Sequence, residues 1–258
     1  MDEPELLVGQ DGGVLTVTFN RPRQRNAMTW GMYEALYDAC EKADADDDIR
    51  VMVLKGAGDK AFVAGTDIGQ FADFTSGEDG VAYEEKIARI VTRLEDVNVP
   101  TVAAVRGYCV GGGLGLAAVC DLRVAARSAR FGIPIARTLG NCLSMNNYSL
   151  LLSQLGPAIT LDVLLRARLL SGEEAAAAGF VIELCDDDQL DAVTDGVVAT
   201  LLGHAPLSMW AAKEAIRRIR RANVPNGDDI VSRVFGSDDF HAAVAAFAAK
   251  ESVVWSGK

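Results

Sequence analysis

Apolar and polar positions divide the chain into two regimes. Up to about residue 186, short aliphatic runs alternate with stretches of helical period; beyond it only helical stretches remain. Residues 14–19 put Val14, Thr16 and Thr18 on one face and Leu15, Val17 and Phe19 on the other, as a half-buried strand requires. Residues 6–8 precede them across Asp11-Gly12-Gly13, which reads as a hairpin turn. The apolar runs at 51–54, 101–105, 122–125 and 181–184 read as buried strands, with a further strand at 129–131. Met32/Tyr33, Leu36/Tyr37, Cys40 and Ala43 recur at helical spacing behind Thr29, a residue able to cap. Tyr83, Ile87, Ile90/Val91 and Leu94 give a second helical stripe. Residues 44–48 and 76–79 read as polar loops, a short helical pattern spans 68–74, and 132–142 is irregular. Helices at 144–155 and 157–166 are separated by Gly156, with Pro157 in the first turn of the second. Ser171-Gly172-Glu173-Glu174 has the form of a capping box for a short helix ending at Gly179. Residues 188–202, 206–222, 227–235 and 238–250 are the terminal helices. The expected fold is α/β, a βα core over residues 1–186 followed by a helical region over 187–258.

One stretch concentrates the chemistry. In PTVAAVRGYCVGGGLGLAAVCD, residues 100–121, a buried strand is broken at Arg106-Gly107, and Gly111-Gly112-Gly113 opens a small-residue helix. A helix start leaves backbone N–H groups without partners, and their partial positive charge suits an anion or an oxygen that becomes one. KGAGDKAFVAGTDIGQF, residues 55–71, repeats the arrangement after the preceding strand and supplies a second set of donors. Taken alone, the glycines serve tight helix–sheet packing equally well.

Charge and composition narrow the partners. A net charge of −11 argues against nucleic acid or an anionic membrane as a default partner. The apolar runs are shorter than a membrane span, and MDEPELLVGQ carries no apolar signal region, so a cytoplasmic protein is expected. The five cysteines form no CxxC, and with only His204 and His241 besides, no zinc constellation is expected. Gly113–Ala118 matches GxGxxA, but the acidic residue expected about 20 positions on is missing, where Arg137-Thr138-Leu139 stands. Neither a GxxxxGK[ST] nor a GxSxG motif occurs.

AFVAGTDI (61–68), PTVAAVRGYCVGGGLGLAAVCDLRVA (100–125) and FGIP (131–134), in this order and spacing, resemble the crotonase superfamily, the enoyl-CoA hydratase/isomerase fold. RPRQRNAM (21–28), SGEEAAAAGFV (171–181) and DDFHAAVAAFAAK (238–250) extend the resemblance over nearly the whole chain. It implies a spiral of ββα turns with C-terminal helices that build a homotrimer or hexamer. It also implies an acyl-CoA thioester as substrate, as in fatty acid metabolism, with no cofactor beyond the CoA of the substrate. The oxyanion-hole donors carried over are the amides of Thr66 and Gly112. Arg25 and Ala27 fall in the segment that holds the nucleotide and pantetheine, although Arg25 also reads as a solvated loop charge. Ala64, Ile68, Gly111, Gly115 and Ile135 fall along the acyl path. Phe247 and Lys250 match the aromatic and lysine that reach the CoA of a neighbouring subunit. Asp67 belongs to the same loop, where a carboxylate that ties up turn amides is expected.

The chain departs from the family at the two positions where hydratases carry glutamates, now Gly115 and Ile135. Neither can exchange a proton. The expected activity is chemistry at Cα/Cβ of an acyl-CoA through an oxyanion-stabilised enolate, with enoyl-CoA hydratase the natural label. Double-bond isomerisation, decarboxylation, thioester hydrolysis and non-catalytic acyl-CoA binding are the alternatives. Arg137 is a candidate for holding a carboxylate or an anionic intermediate. Asn141, Cys142, Ser144, Asn146 and Asn147 form a polar string beside an apolar helix, with Cys142 a possible thiol or an inert buried one.

Overall fold

Two consecutive glycines with positive φ, Gly12 (53°) and Gly13 (85°), close the first hairpin, a conformation that side chains disfavour. They join β1 (Leu6–Asp11) to β2 (Val14–Phe19) in the computed structural model, which describes residues 3–258. Residues 1 and 2, the start of the expected core region and of the acidic N-terminal stretch, lie outside the described residues. After α1 (Trp30–Ala45), capped by Thr29 Oγ1 on the Met32 amide, the chain makes successive ββα turns. They are β3 (Val51–Gly56), β4 (Ala61–Ala64) and α2 (Gly77–Asp96), then β5 (Thr101–Val105), β6 (Tyr108–Val110) and α3 (Gly112–Val119). The third is β7 (Leu122–Ala126), β8 (Arg130–Gly132), the short α4 (Ile135–Thr138) and α5 (Met145–Leu165). Next come β9 (Leu170–Ser171), α6 (Gly172–Ala177) and β10 (Glu183–Cys185), and finally α7 (Leu190–Leu202), α8 (Pro206–Arg221), α9 (Asp228–Phe235) and α10 (Asp238–Ala249).

The first strand of each turn joins a six-stranded sheet of order β1-β2-β3-β5-β7-β10; the second joins a four-stranded sheet of order β4-β6-β8-β9. Gly107 makes one of the corners between them: its φ is +63°, and a Cβ there would stand 2.1 Å from the Lys60 carbonyl oxygen. The central strands β3, β5 and β7 of the large sheet are buried on both faces. Val51, Val53, Val102, Ala104, Val124 and Ala126 meet Leu190 and Val198 of α7, and the opposite face joins the main core.

Several elements differ from their sequence readings. Residues 77–79, expected in a loop, are the first turn of α2, fixed by a reciprocal capping box between Ser76 and Asp79. Glycine there serves contact: a Cβ on Gly77 would lie 2.2 Å from Ser232 O, and one on Gly80 2.3 Å from Phe235 Cβ. The terminal helices α9 and α10 therefore fold back on α2, where Phe235 and Phe240 join Phe71, Phe74 and Tyr83 in one aromatic cluster. α1 runs on to Ala45, and residues 135–138 of the irregular segment form a helical turn. Helix α5 is long and apolar enough to match a bilayer by length and composition, against the reading of short apolar runs. Gly156 (φ 70°, ψ 165°) breaks its helical backbone into two shorter pieces.

Candidate functional site

The register of the small sheet builds the site. Ala64 of β4 pairs with Val110 of β6, and Val110 pairs with Gly132 of β8, all parallel. The segments that follow, Gly65-Thr66, Gly111-Gly112 and Ile133-Pro134-Ile135, leave the sheet side by side and line one cavity. Gly65 (φ 94°) and Gly111 (φ 57°) let the first two turns touch, since a Cβ on Gly111 would be 3.4 Å from Gly65 Cα.

Among the described residues, neither the Thr66 nor the Gly112 amide of these turns has a hydrogen-bond partner. Met28 N–H donates to Gly65 O and Asp67 N–H to Met28 O, both at 2.9 Å, so residues 65–67 run as a short strand beside Met28. Successive amides of an extended chain alternate in direction, which turns the Thr66 N–H away from Met28. The Gly112 N–H belongs to the first turn of α3 and has no residue four places back in the helix to accept it. A Cβ on Gly112 would lie 3.9 Å from Thr66 N. The donors are neighbours, and the absence of a side chain at 112 keeps the space between them.

What holds them is a chain of hydroxyls. Thr66 Oγ1 shares hydrogen bonds with Tyr33 OH (2.8 Å) and Tyr83 OH (3.0 Å), and Trp30 packs on both rings. Burial pushes Tyr33 up to about 12 and Tyr83 well above the ordinary phenol value, so both stay protonated near neutrality. At the far end of α3, the buried Arg123 guanidinium donates to the carbonyls of Ala117, Cys120 and Phe180 and lies over the Phe180 ring. A cation there complements the helix dipole whose positive end faces the cavity.

The cavity wall includes Ala64, Thr66, Ile68, Gly111, Gly112, Gly115, Ile135 and Phe247 of the residues singled out in the sequence. A Cβ on Gly115 would meet no atom within 4 Å, so this position opens onto free space. Phe247, expected to reach the CoA of a neighbouring subunit, lines the cavity of its own chain. The reason is α10, anchored through Phe240 on Phe71 and Phe235 of the same chain. Lys250 stands outside the wall at the exposed C-terminus of α10, with φ +60°.

Arg25, Ala27 and Asp67 also lie outside the wall. Arg25 (φ 52°) sets its guanidinium over the Tyr108 ring, 5.1 Å from the centroid. Its neighbour Asn26 is fully buried and holds three strands of chain, donating to Ala57 O and Ala61 O and accepting from Arg21 N–H. Asp67 accepts from Gly69 N–H and pairs with Arg21 at 3.1 Å, the loop-fixing arrangement expected of it. Arg137 is a correction: it lies exposed on α4, outside the wall, whereas Ile135, Thr138 and Leu139 of the same turn contribute to it. Arg137→Ala is expected to leave turnover within about twofold of the parent in a steady-state assay, as for a surface substitution. Cys142 is buried and pushed up to about 12, which makes it an inert thiol.

Asn141 and Asn147 of the polar string noted in the sequence also reach the wall, and one residue there, Glu84, escaped the sequence reading of the site. Glu84 is 6% exposed and the only carboxylate lining the cavity among the described residues. Its Oε2 accepts from Ser144 N–H at 2.9 Å, and burial pushes its pKa up to about 7 against the lowering effect of that hydrogen bond. Asn141 Oδ1 and Asn147 Oδ1 are buried without a hydrogen-bond partner. Glu84 stands three and seven residues before Ile87 and Val91 and so shares their buried face, a signal present in the sequence.

Comparison with known proteins shows the family. The sequence model described as enoyl-CoA hydratase/isomerase matches residues 9–258, and the chain belongs to that family. The 2,3-dehydroadipyl-CoA hydratase of Escherichia coli is 28% identical, with 98% of this chain and 99% of that protein covered. The protein echA8 of Mycobacterium bovis, named a probable enoyl-CoA hydratase, is 32% identical over 96% of each. Among solved structures, an enoyl-CoA hydratase/carnithine racemase of Magnetospirillum magneticum superposes with a TM-score of 0.81 at 32% identity, covering 100% of this chain and 97% of that one. The fold is that of the crotonase superfamily, and the chain is an enzyme of the enoyl-CoA hydratase/isomerase type.

Proposed function

We propose that the protein acts on enoyl-CoA thioesters, the Thr66 and Gly112 amides donating to the thioester oxygen as it gains charge in an enolate. The observation that carries this is that Thr66 and Gly112, neighbours whose amides have no partner among the described residues, both line one largely apolar cavity. Fixed donors act most strongly where charge develops in a site shielded from water. Water addition across Cα=Cβ is the proposed reaction, as the names of the relatives suggest. A second reading, migration of the double bond, is favoured by the single carboxyl in the wall, because moving one proton needs one acid–base group.

Crotonyl-CoA and 3-butenoyl-CoA separate these readings. Loss of the conjugated thioester absorbance from the first marks hydration, and its appearance from the second marks isomerisation. Calorimetric binding without change in either absorbance would overturn both and leave a binding protein. Placing glutamates at both vacant positions, Gly115→Glu with Ile135→Glu, is expected to raise crotonyl-CoA hydration at least tenfold, since proton transfer typically contributes roughly 10²–10⁴-fold.

We also infer that Arg25, Ala27 and Lys250 meet the CoA outside the cavity, and that no cofactor beyond that CoA is needed. Assembly as a trimer or hexamer is supported by the outward apolar residues Leu207, Ile216 and Ile219 of α8. A cytoplasmic setting is supported by the cysteines, all of them free thiols.

A further inference from the structure

Glu84 occupies an unusual position. A buried carboxyl without a counter-charge is costly, and among the described residues no cation pairs with Glu84. The titratable groups facing it are Tyr33 of α1, Tyr83 on its own helix, and Cys142 and Tyr148 ahead of and within α5. Burial raises all four, so they are uncharged near neutrality. On its other side Glu84 lines a second hollow, between α2, the start of α5 and the α8–α9 connection, shared with Glu85 and Asp228. The carboxyl thus stands between the cavity holding the two free amides and a separate hollow.

We propose that Glu84 is the acid–base group of this site, exchanging the proton on the carbon next to the thioester. This rests on the acyl-CoA reading. The Glu84 carboxylate takes the Cα proton; the C–H electron pair becomes the Cα=C1 bond, and the carbonyl π pair moves onto the oxygen that faces the Thr66 and Gly112 amides. Reversal returns a proton from the carboxyl to carbon, after exchange with solvent through the second hollow. The Asn141 and Asn147 Oδ1 atoms, without a partner among the described residues, accept hydrogen bonds from a polar group on the substrate beside this carboxyl. Gly115 and Ile135 then need no proton of their own.

A purely structural Glu84 would serve only to accept the Ser144 amide at the start of α5, and glutamine retains that acceptor. The test is exchange of the Cα protons of butyryl-CoA in D2O, followed by NMR, beside calorimetric binding of the same thioester. Glu84→Gln is expected to lose exchange by about 100-fold or more with affinity within about threefold, and Glu84→Asp to retain part of the rate. Wild-type exchange is expected to rise with pH through about 7, as the carboxylate forms, and the glutamine variant to lack this limb. If that variant does not fold, the wild-type profile carries the test. Exchange by Glu84→Gln within threefold of wild type, a wild-type profile without the limb, or wild-type binding without exchange would overturn the role of Glu84. Failure of wild type to bind butyryl-CoA at all would overturn the acyl-CoA reading instead.

Discussion

Gly112→Ala is expected to slow turnover of the enoyl-CoA substrate by roughly 10²–10³-fold, the typical cost of losing one oxyanion donor. The backbone tolerates alanine, because residue 112 lies in the first turn of α3 and its φ is not positive. The difficulty is what the new methyl meets. It would stand 2.9 Å from Tyr33 OH and 3.5 Å from Thr66 Oγ1. Tyr33 is buried at 1% exposure, so the hydroxyl cannot swing clear without breaking its bond to Thr66. The methyl thus occupies the space between the donors and displaces one of them. Gly196→Ala is the matched control, on α7 outside the cavity wall, with open space around its methyl and turnover expected within about twofold of the parent. Far-UV circular dichroism should show both variants folded; an unimpaired Gly112→Ala enzyme would remove the two-amide account.

The second large effect concerns stability and its sign is fixed by linkage. Glu84 titrates at about 7 when folded and near its ordinary 4.5 when unfolded, because burial penalises the charged form. Between these values the folded state holds a proton that the unfolded state has released, so stability falls as pH rises. The contribution is fully present below about 4.5 and is lost by about 7, a total of about 3 kcal/mol. Glutamine cannot ionise and escapes this loss. Urea unfolding at pH 5 and pH 8 should therefore show the wild type losing roughly 2 kcal/mol more than Glu84→Gln across the interval. Taking the difference between the proteins cancels the depressed surface carboxylates such as Asp79, Asp162 and Asp239, which are common to both. Equal pH dependence would mean that Glu84 is ionised throughout.

Of the strands that carry the site, only β8 is read from the sequence; β4 and β6 lie inside the glycine-rich stretches that follow the large-sheet strands, too short to show a pattern of their own. Gly65-Thr66 and Gly111-Gly112 could be paired on paper because the same strand–glycine–helix order occurs twice. What a linear reading lacks is register: only the alignment of Ala64 with Val110 brings Thr66 beside Gly112. Glu84 stayed hidden for another reason. One step from Tyr83 on an apolar stripe, a glutamate reads as the solvated edge of the helix, and its burial depends on α5 and α9 closing over it from about 60 and 145 residues away in sequence. The start of α2 was missed likewise. Glycines at 77 and 80 look like loop residues until α9 is seen packed directly on them. Arg137 shows the converse error, since proximity in sequence to the cavity wall did not bring its side chain to it.

The most direct test of the two-amide account is the 13C resonance of butyryl-CoA labelled at the thioester carbonyl, recorded free and bound. Polarisation by two N–H donors predicts a downfield displacement on binding to the wild type, reduced in Gly112→Ala at equal occupancy. A bound carbonyl resonating where the free one does would contradict it.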